Sequence, residues 1–430
     1  MATEARRVAA LVPVLRDRLD GEGLRTLHDD VETPLVRVLA RMEVVGIRVD
    51  TVELRRIADA LVTETQQLMA EIHRLAGHEF NVNSTPQLRT VLYDELKLTP
   101  GRKTKTGYST DAATLESLRD DHAVVDTLLR YRELEKLRST YGEALLAEVA
   151  ADGRIHASFR QTVARTGRLS SERPNLHNIP TRTEAGQQFR RAFIPADGRR
   201  FLVADYDQVE LRVLAHLSGD RGLVAAFTAG DDIHRAVAAG IYAVPPEEVT
   251  KAQRDRAKMV SYGLVYGMEA FGLARRLSTS VEEAAEIMDR YFGGFPSVHA
   301  YMDRTVVEAR QRGYTRTALG RKRPLPELSD RNYRVRQAAE RQAMNAGIQG
   351  LAADLFKVAL VRLDRALEDA GLASRLVLQV HDEVIVEVAA GEDDAVAAIT
   401  EDALTGAADL SVPLEVSTAW GSSWAAAKGG

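Results

Sequence analysis

Apolar residues recur every three or four positions through most of the first 150 residues, as in TPLVRVLARMEVVG (33–46) and VELRRIADALVTETQQLMAEIHRLAG (52–77). That spacing puts one apolar stripe on a helix, so this region is predicted to be largely helical. The pattern then changes. GRIHASFRQTVARTGRLSS (153–171) alternates in strand fashion and ends in a polar turn, and FLVADY (201–206) is a short β-rich run followed by an amphipathic helix. Residues 220–350 return to long Ala/Arg/Glu helical segments. SRLVLQVHDEVIVEV (374–388) reads as two β-rich runs around His381–Asp382, the pattern of a tight hairpin. An acidic helix, a short strand and WGSSWAAAKGG complete the chain, with no internal repeat or low-complexity segment. Helical region, sheet, helical insertion and return to the sheet together predict an α+β protein.

At 430 residues the chain is too long for one core, so two or three domains are expected. No apolar run approaches the ~18 residues of a membrane helix, and MATEARRVAALVPVL lacks a secretory cleavage pattern. The absence of cysteine excludes disulfides and thiolate-bound metal. A cytoplasmic protein without membrane contact is the expectation. The net charge of −5 does not point to a polyanion, but its distribution does. Residues 151–200 carry ten Arg against four acids, and 310–341 nine Arg and one Lys against three acids. Two such segments in an acidic chain fit a nucleic-acid patch, although solvated helix faces give the same pattern.

Candidate chemistry sits at the edges of the apolar runs. Asp205 ends one run and Asp382 occupies the predicted hairpin turn. Carboxylates so placed are desolvated by their neighbours, which costs free energy unless they are paired or bound to a cation. Side by side, the two would make a hard oxygen site for Mg²⁺, and two such ions serve phosphoryl transfer. Each alone reads more often as a turn-former. In RDRAKMVSYGLVYGM (254–268), Arg254, Lys258, Tyr262 and Tyr266 fall one helical turn apart. Thr250 and Gln253 form a capping box that starts this helix at 251. Its cations suit a triphosphate, Arg as a fork and Lys as a point charge. Its phenols suit a sugar or base, and Gly263 and Gly267 would let a flat group approach. An amphipathic surface helix kinked at its glycines has the same spacing. The basic loop GRKTKTGYSTDAATLESL (101–118) offers Lys103 and Lys105 to phosphates, or is simply a mobile loop.

Taken in order, these segments resemble the polymerase portion of the family A DNA polymerases. DYDQVELR (205–212), RDRAKMVSYGLVYGM and QVHDEV (379–384) resemble that family's motifs A, B and C. TGRLSSERPNLHNIPTR (166–182), DDIHR (231–235), ERQAMNAGIQG (340–350), KTKTGYSTDA (103–112) and WGSSWAAAK also match in sequence order, from about residue 40 to the C-terminus.

The resemblance implies a right-hand fold, an antiparallel β-sheet palm with helical thumb and fingers. Its expected segments are a lead-in at 1–42, thumb at 43–149, palm at 150–215 and 350–430, and fingers at 216–349. It implies that Asp205, Asp382 and the carbonyl of Tyr206 hold two Mg²⁺ ions, with Mn²⁺ as the alternative. Arg254, Lys258, His234 and Arg182 would meet the triphosphate, with Lys258 as general acid. Tyr262, Tyr266 and Gln208 would complete the nucleotide site, and Glu210 would press on C2′ of the sugar. Arg168, Asn175, Asn178, Arg341, Asn345, Gln349 and His381, with Lys103 and Lys105, would contact primer–template DNA. Contacts to minor-groove acceptors test pair shape rather than sequence. The partners implied are primer–template and dNTPs, for a monomer acting at the nucleoid of a bacterial cytoplasm.

Four positions depart from the family's pattern. Tyr262 replaces a frequent Phe, and Asp207 a small hydroxyl residue beside the metal site. His177 replaces a Gln, and Ser261 an Asn or Thr. About 40 residues precede the match, so no 3′→5′ exonuclease is expected from this chain. Three rivals share parts of the pattern. A single-subunit RNA polymerase would need space at Glu210. A catalytically inactive DNA-binding homologue would lack a palm aspartate or Lys258. A metal nuclease has no use for the cationic helix.

Overall fold

A computed structural model describes residues 2–180 and 183–428. The expected triphosphate contact Arg182 lies outside the described residues. The chain forms two compact units, each discontinuous in sequence: residues 1–45, 158–172 and 202–420, and residues 46–157, 173–201 and 421–430.

The first unit is built on a four-stranded sheet. Its strands are β1 (Arg200–Tyr206), β2 (Arg375–Val380), β3 (Glu383–Val388) and β4 (Val416–Gly421), in the spatial order β2-β3-β1-β4. From Phe201 to Tyr206, β1 buries every residue but Asp205, and β3 is buried throughout. Runs that are apolar on both faces form where a sheet is covered on both sides. β2 and β3 pair antiparallel from Arg375 opposite Glu387 to Val380 opposite Glu383. The two-residue turn between them holds His381 at φ 59, the left-handed region that two-residue hairpins use.

Four helices position the site: α1 (Val209–Ser218), α2 (Ile233–Tyr242), α3 (Lys251–Val265) and α4 (Tyr333–Asp369). Thr250 caps α3 through the reciprocal bonds to Gln253 that the sequence predicts. α4 buries a nearly continuous run between Asn345 and Leu363, which includes Asp354 and Lys357, 0% and 1% exposed. These charges are matched. Lys357 Nζ donates to Glu32 Oε1 at 2.8 Å, Arg321 Nε donates to Asp354 Oδ1 at 2.6 Å, and the Arg321 guanidinium also reaches Glu32. Thr317 and Gln161 complete the cluster, on Asp354 and Glu32.

In the second unit, Asp50 caps the helix Thr51–Ala76 by accepting from Val52 and Glu53 N–H, and Gly77 at φ 82 ends it. This helix packs on Ala123–Tyr141 around Ile72, Leu92, Leu115, Leu128 and Tyr131. Near the C-terminus Trp424 lies under Arg190, 4.0 Å from ring centre to guanidinium, and edge-on to Phe193 at 5.6 Å.

The expected strand over 153–171 is a set of short pieces. Arg154–Ile155 pairs with Ile47–Arg48, and Ser158–Arg160 pairs with Ser170–Glu172 across an irregular loop. The Thr/Gly/Arg run between them has too few apolar side chains to hold a pleated face.

Candidate active site

β1 ends at Tyr206, whose N–H donates to the carbonyl of Asp382 at 3.3 Å, so the sheet joins the ends that carry Asp205 and Asp382. The Tyr206 hydroxyl is spent in the core, donating to the Leu404 carbonyl at 2.6 Å. Burial, and then the charge of Asp205, push the Asp382 carboxyl up to about 6. Two carboxylates in one desolvated space are both ionised at neutral pH when a cation is shared between them. The donor set is all oxygen, as Mg²⁺ requires. Among the described residues no group of three His, Cys, Asp or Glu forms a metal cage. Ions here would take further ligands from substrate or water, the usual habit of Mg²⁺.

α1 starts at Gln208, held at φ 55, with its Oε1 buried and without a hydrogen-bond partner. Glu210 in its first turn is 6% exposed. Its carboxylate accepts from Arg168 Nη2 at 2.6 Å and from the Tyr266 hydroxyl at 2.8 Å. One acid of the sheet-side helix thus ties the minor-groove candidate Arg168 to the tyrosine that follows α3. Burial, and then the field of Glu210, hold the Tyr266 phenol protonated far above its usual range. Tyr262 is pushed up to about 12 by burial, then by Glu210 and Asp382.

The cationic end of α3 meets α2. Asp232 caps α2, its Oδ1 accepting from the N–H groups of His234 and Arg235 at 3.0 and 3.2 Å. Its Oδ2 accepts from Arg254 Nε at 2.5 Å. His234 is 2% exposed, its Nδ1 has no hydrogen-bond partner, and its ring centre lies 5.9 Å from that of Tyr262. Burial, then the charge of Lys258, push the imidazole down to about 4, so it is neutral at pH 7. Lys258 itself is exposed on the same face.

The two glycines behind the phenols serve the chain itself. Gly267 is beyond the end of α3 at φ 69, and a Cβ there would meet Arg341 at 3.1 Å. A Cβ on Gly263 would meet Met268 Sδ at 3.3 Å. Neither opens onto space for a flat ligand, so the expected close approach of a base pair through these glycines is replaced by helix termination and tight packing.

On α4, Asn345 is 9% exposed with Oδ1 unpartnered, Gln349 is half-buried, and Arg341 Nη1 donates to Glu269 Oε1 at 2.9 Å. His381 is exposed in the hairpin turn. The second unit holds Asn175, Asn178, Lys103 and Lys105, all exposed. There Arg89 braces the 103–108 hairpin by donating to the carbonyls of Tyr108 and Thr106 at 2.6 and 2.7 Å. Lys103 and Lys105 are thus on an ordered hairpin within that loop. Of the departures, Asp207 turns toward β4, where Ser417 Oγ donates to its carboxylate at 2.8 Å. Ser261 donates to the Ala257 carbonyl inside α3, and His177 is buried.

Sequence reasoning missed the partners of these groups. Asp232 on Arg254 and Glu269 on Arg341 join residues 22 and 72 positions apart. Only the capping role of Asp232, one residue before a helical run, had a local signal.

A sequence model described as DNA polymerase family A covers residues 51–426. DNA polymerase I of Mycobacterium tuberculosis is 48% identical over 420 residues, 96% of this chain and 46% of the relative. The thermostable DNA polymerase I of Thermus thermophilus is 47% identical over 422 residues, 97% of this chain and 50% of that protein. The chain thus spans about half the length of these relatives. A solved structure, the POL domain of Pol1 from M. smegmatis in complex with DNA primer-template and dNTP, superposes with a TM-score of 0.94. It is 46% identical, and the match covers 98% of this chain and 75% of that one. With the family's sequence model running through nearly all of its length, this chain belongs to DNA polymerase family A.

Proposed function

We propose that the chain is a template-directed DNA polymerase that adds deoxynucleotides to a primer 3′ end. The observation that carries this is the Glu210 junction. It ties Tyr266, at the end of α3, to the first turn of the helix that follows the strand bearing Asp205, which supports reading a nucleotide clamp and a paired carboxylate site as one place. In this reading Asp205, Asp382 and the Tyr206 carbonyl hold two Mg²⁺ ions, with Mn²⁺ as the alternative. Such ions, when bound, activate the attacking oxygen and stabilise the leaving one.

The chain's own residues do the rest. Arg254, Lys258 and Arg182 neutralise the triphosphate, and His234, a neutral imidazole with a free Nδ1, offers a hydrogen bond without adding charge. The primer 3′-hydroxyl gives its proton to solvent water as its oxygen bonds to the α-phosphorus, the bond from that phosphorus to the bridging oxygen breaks, and Lys258 gives its proton to the departing pyrophosphate. Tyr262, Tyr266 and Gln208 hold the sugar and base, and Glu210 fills the space a 2′-hydroxyl would need. Arg168, Asn345, Gln349, Arg341 and His381 address the primer–template, joined by Asn175, Asn178, Lys103 and Lys105.

Residues 43–149 then act as thumb, 150–215 and 350–430 as palm, and 216–349 as fingers, after a lead-in at 1–42. Among the described residues no helix is long and apolar enough to cross a membrane, and a monomer working on nucleoid DNA fits the reading. Primer extension tests it. Labelled primer–template should lengthen with dNTPs and Mg²⁺, not after chelation, and far less with rNTPs. Efficient rNTP incorporation favours the RNA polymerase reading, and no extension with any nucleotide sinks the proposal.

A further inference from the structure

The Arg254 guanidinium does not wait free for a nucleotide. Its Nε is already held by Asp232 Oδ2 at 2.5 Å, while Nη1 stands 3.8 Å from Asp255 Oδ1. An arginine gripped at Nε keeps its Nη1/Nη2 edge for a second acceptor, and that edge is a fork suited to a phosphate. The grip is itself rigid. Asp232 is fixed by two backbone N–H groups at the start of α2. The next residue but two, Arg235, sends its guanidinium to the carbonyls of Pro246 and Val249 at 3.0 and 3.2 Å, in the segment that leads into α3. Two independent links thus lock the N-terminal end of α2 to the approach of α3. The same carboxylate caps the helix whose second residue is His234, the buried imidazole with an unpartnered Nδ1.

We propose that Asp232 is a positioning residue for the incoming nucleotide: through one carboxylate it aims the free edge of Arg254 and sets the helix end that presents His234, so that two triphosphate contacts are placed together before substrate arrives. An arginine side chain carries about 2 kcal/mol of rotamer entropy, and a fixed partner removes most of that cost before binding. Burial disfavours the Asp232 charge, yet the bond from Arg254 keeps the carboxyl below its ordinary range, so the grip persists at neutral pH. The opposite arrangement, a carboxylate that competes with phosphate for the whole guanidinium, would have to occupy the Nη1/Nη2 edge, and Asp232 bonds to Nε.

The proposal rests on the nucleotide-binding reading above, and its test separates the two. Asparagine is as good an N-cap as aspartate, so Asp232→Asn removes the charged grip and leaves the start of α2 intact. Steady-state primer extension should show a dNTP KM raised about tenfold for D232N. That is the low end for a charge-assisted hydrogen bond, because both partners are 33% exposed and partly screened. The kcat should stay within about threefold, and primer–template affinity and thermal midpoint should not move. D232S, which substitutes another capping side chain too short to reach Arg254, should give the same KM. In an R254A background D232N should add less than about twofold. D232A, which also loses the cap, should raise KM beyond D232N, and the excess should vanish in an H234A background.

An unchanged or lowered KM in D232N, or an equal effect with and without Arg254, overturns the inference. Wild-type chain that extends no primer sinks the polymerase reading instead.

Discussion

The Glu210 carboxylate carries two duties that one pair of substitutions separates. Its side chain is 7% exposed and accepts two hydrogen bonds, from Arg168, whose side chain is 34% exposed, and from Tyr266. In E210Q the amide oxygen can accept from Arg168, which has only donors to offer, while the amide N–H₂ donates to the phenol oxygen of Tyr266. Volume and both contacts survive, and what is lost is charge assistance. That is about 1 kcal/mol, since a charged hydrogen bond is worth about 1.5–3 kcal/mol against about 1 for a neutral one, and Arg168 is partly solvated. The kcat/KM for a correct dNTP should fall by up to about tenfold. E210A removes both contacts and leaves Tyr266 free to swing, so about 3 kcal/mol or roughly 100-fold should go. Sugar selection should divide the variants differently. Forcing an extra hydroxyl into filled space costs about 1–3 kcal/mol, so E210A should lose roughly 10- to 100-fold of its dNTP-over-rNTP preference while E210Q keeps it within about threefold. The assay is single-nucleotide primer extension with dNTP and rNTP on the same template base. Equal selectivity in wild type and E210A, or equal loss in both variants, refutes the gate.

Three further outcomes follow from other parts of the molecule. Y262F should incorporate dideoxynucleotides less readily than wild type in a chain-termination assay, because in the proposed site the Tyr262 hydroxyl would replace the hydrogen bond that a missing 3′-OH makes; equal termination contradicts this. E32A strands the Lys357 ammonium, 1% exposed, and should cost about 3–5 kcal/mol in urea unfolding. K357M, which leaves Glu32 with Arg321 and Gln161, should cost under about 2 kcal/mol, and a reversed order contradicts the cluster's logic. The Asp111 carboxyl is held down to about 2, first by the Thr114 hydroxyl and then by its N–H. A depressed carboxyl stabilises above its unfolded pKa near 4 and loses that contribution as pH falls toward 2. D111A should therefore cost about 0.5–1 kcal/mol at pH 6, and the difference should shrink steadily as urea midpoints are taken from pH 4 downward.

What the sequence displayed was whatever depends on neighbours along the chain. A capping box at Thr250 and Gln253, a strand carrying Asp205 next to its end and a hairpin turning at Asp382 are local patterns, and the structure has all three. Gly267 was misread because a glycine four positions after another fits a helix interior and a helix end equally well, and only its φ of 69 decides. The 310–341 run showed as a basic stripe, yet Arg321 in it is a half-buried strut on Asp354 and Glu32, 289 positions distant from the latter. Asp207 beside the metal pair gave no sign of direction, since the hydroxyl of Ser417 that engages it lies 210 positions away. Counting charges along a chain does not tell which are spent on each other.

The central claim is that Asp205 and Asp382 share divalent cations beneath a nucleotide held by α3. The most direct measurement is single-turnover primer extension by D382N, with and without Mg²⁺, alongside its equilibrium binding of primer–template. The account predicts extension reduced by at least about a thousandfold with DNA binding retained. Extension by D382N at the wild-type rate, or wild-type extension in excess chelator, contradicts it.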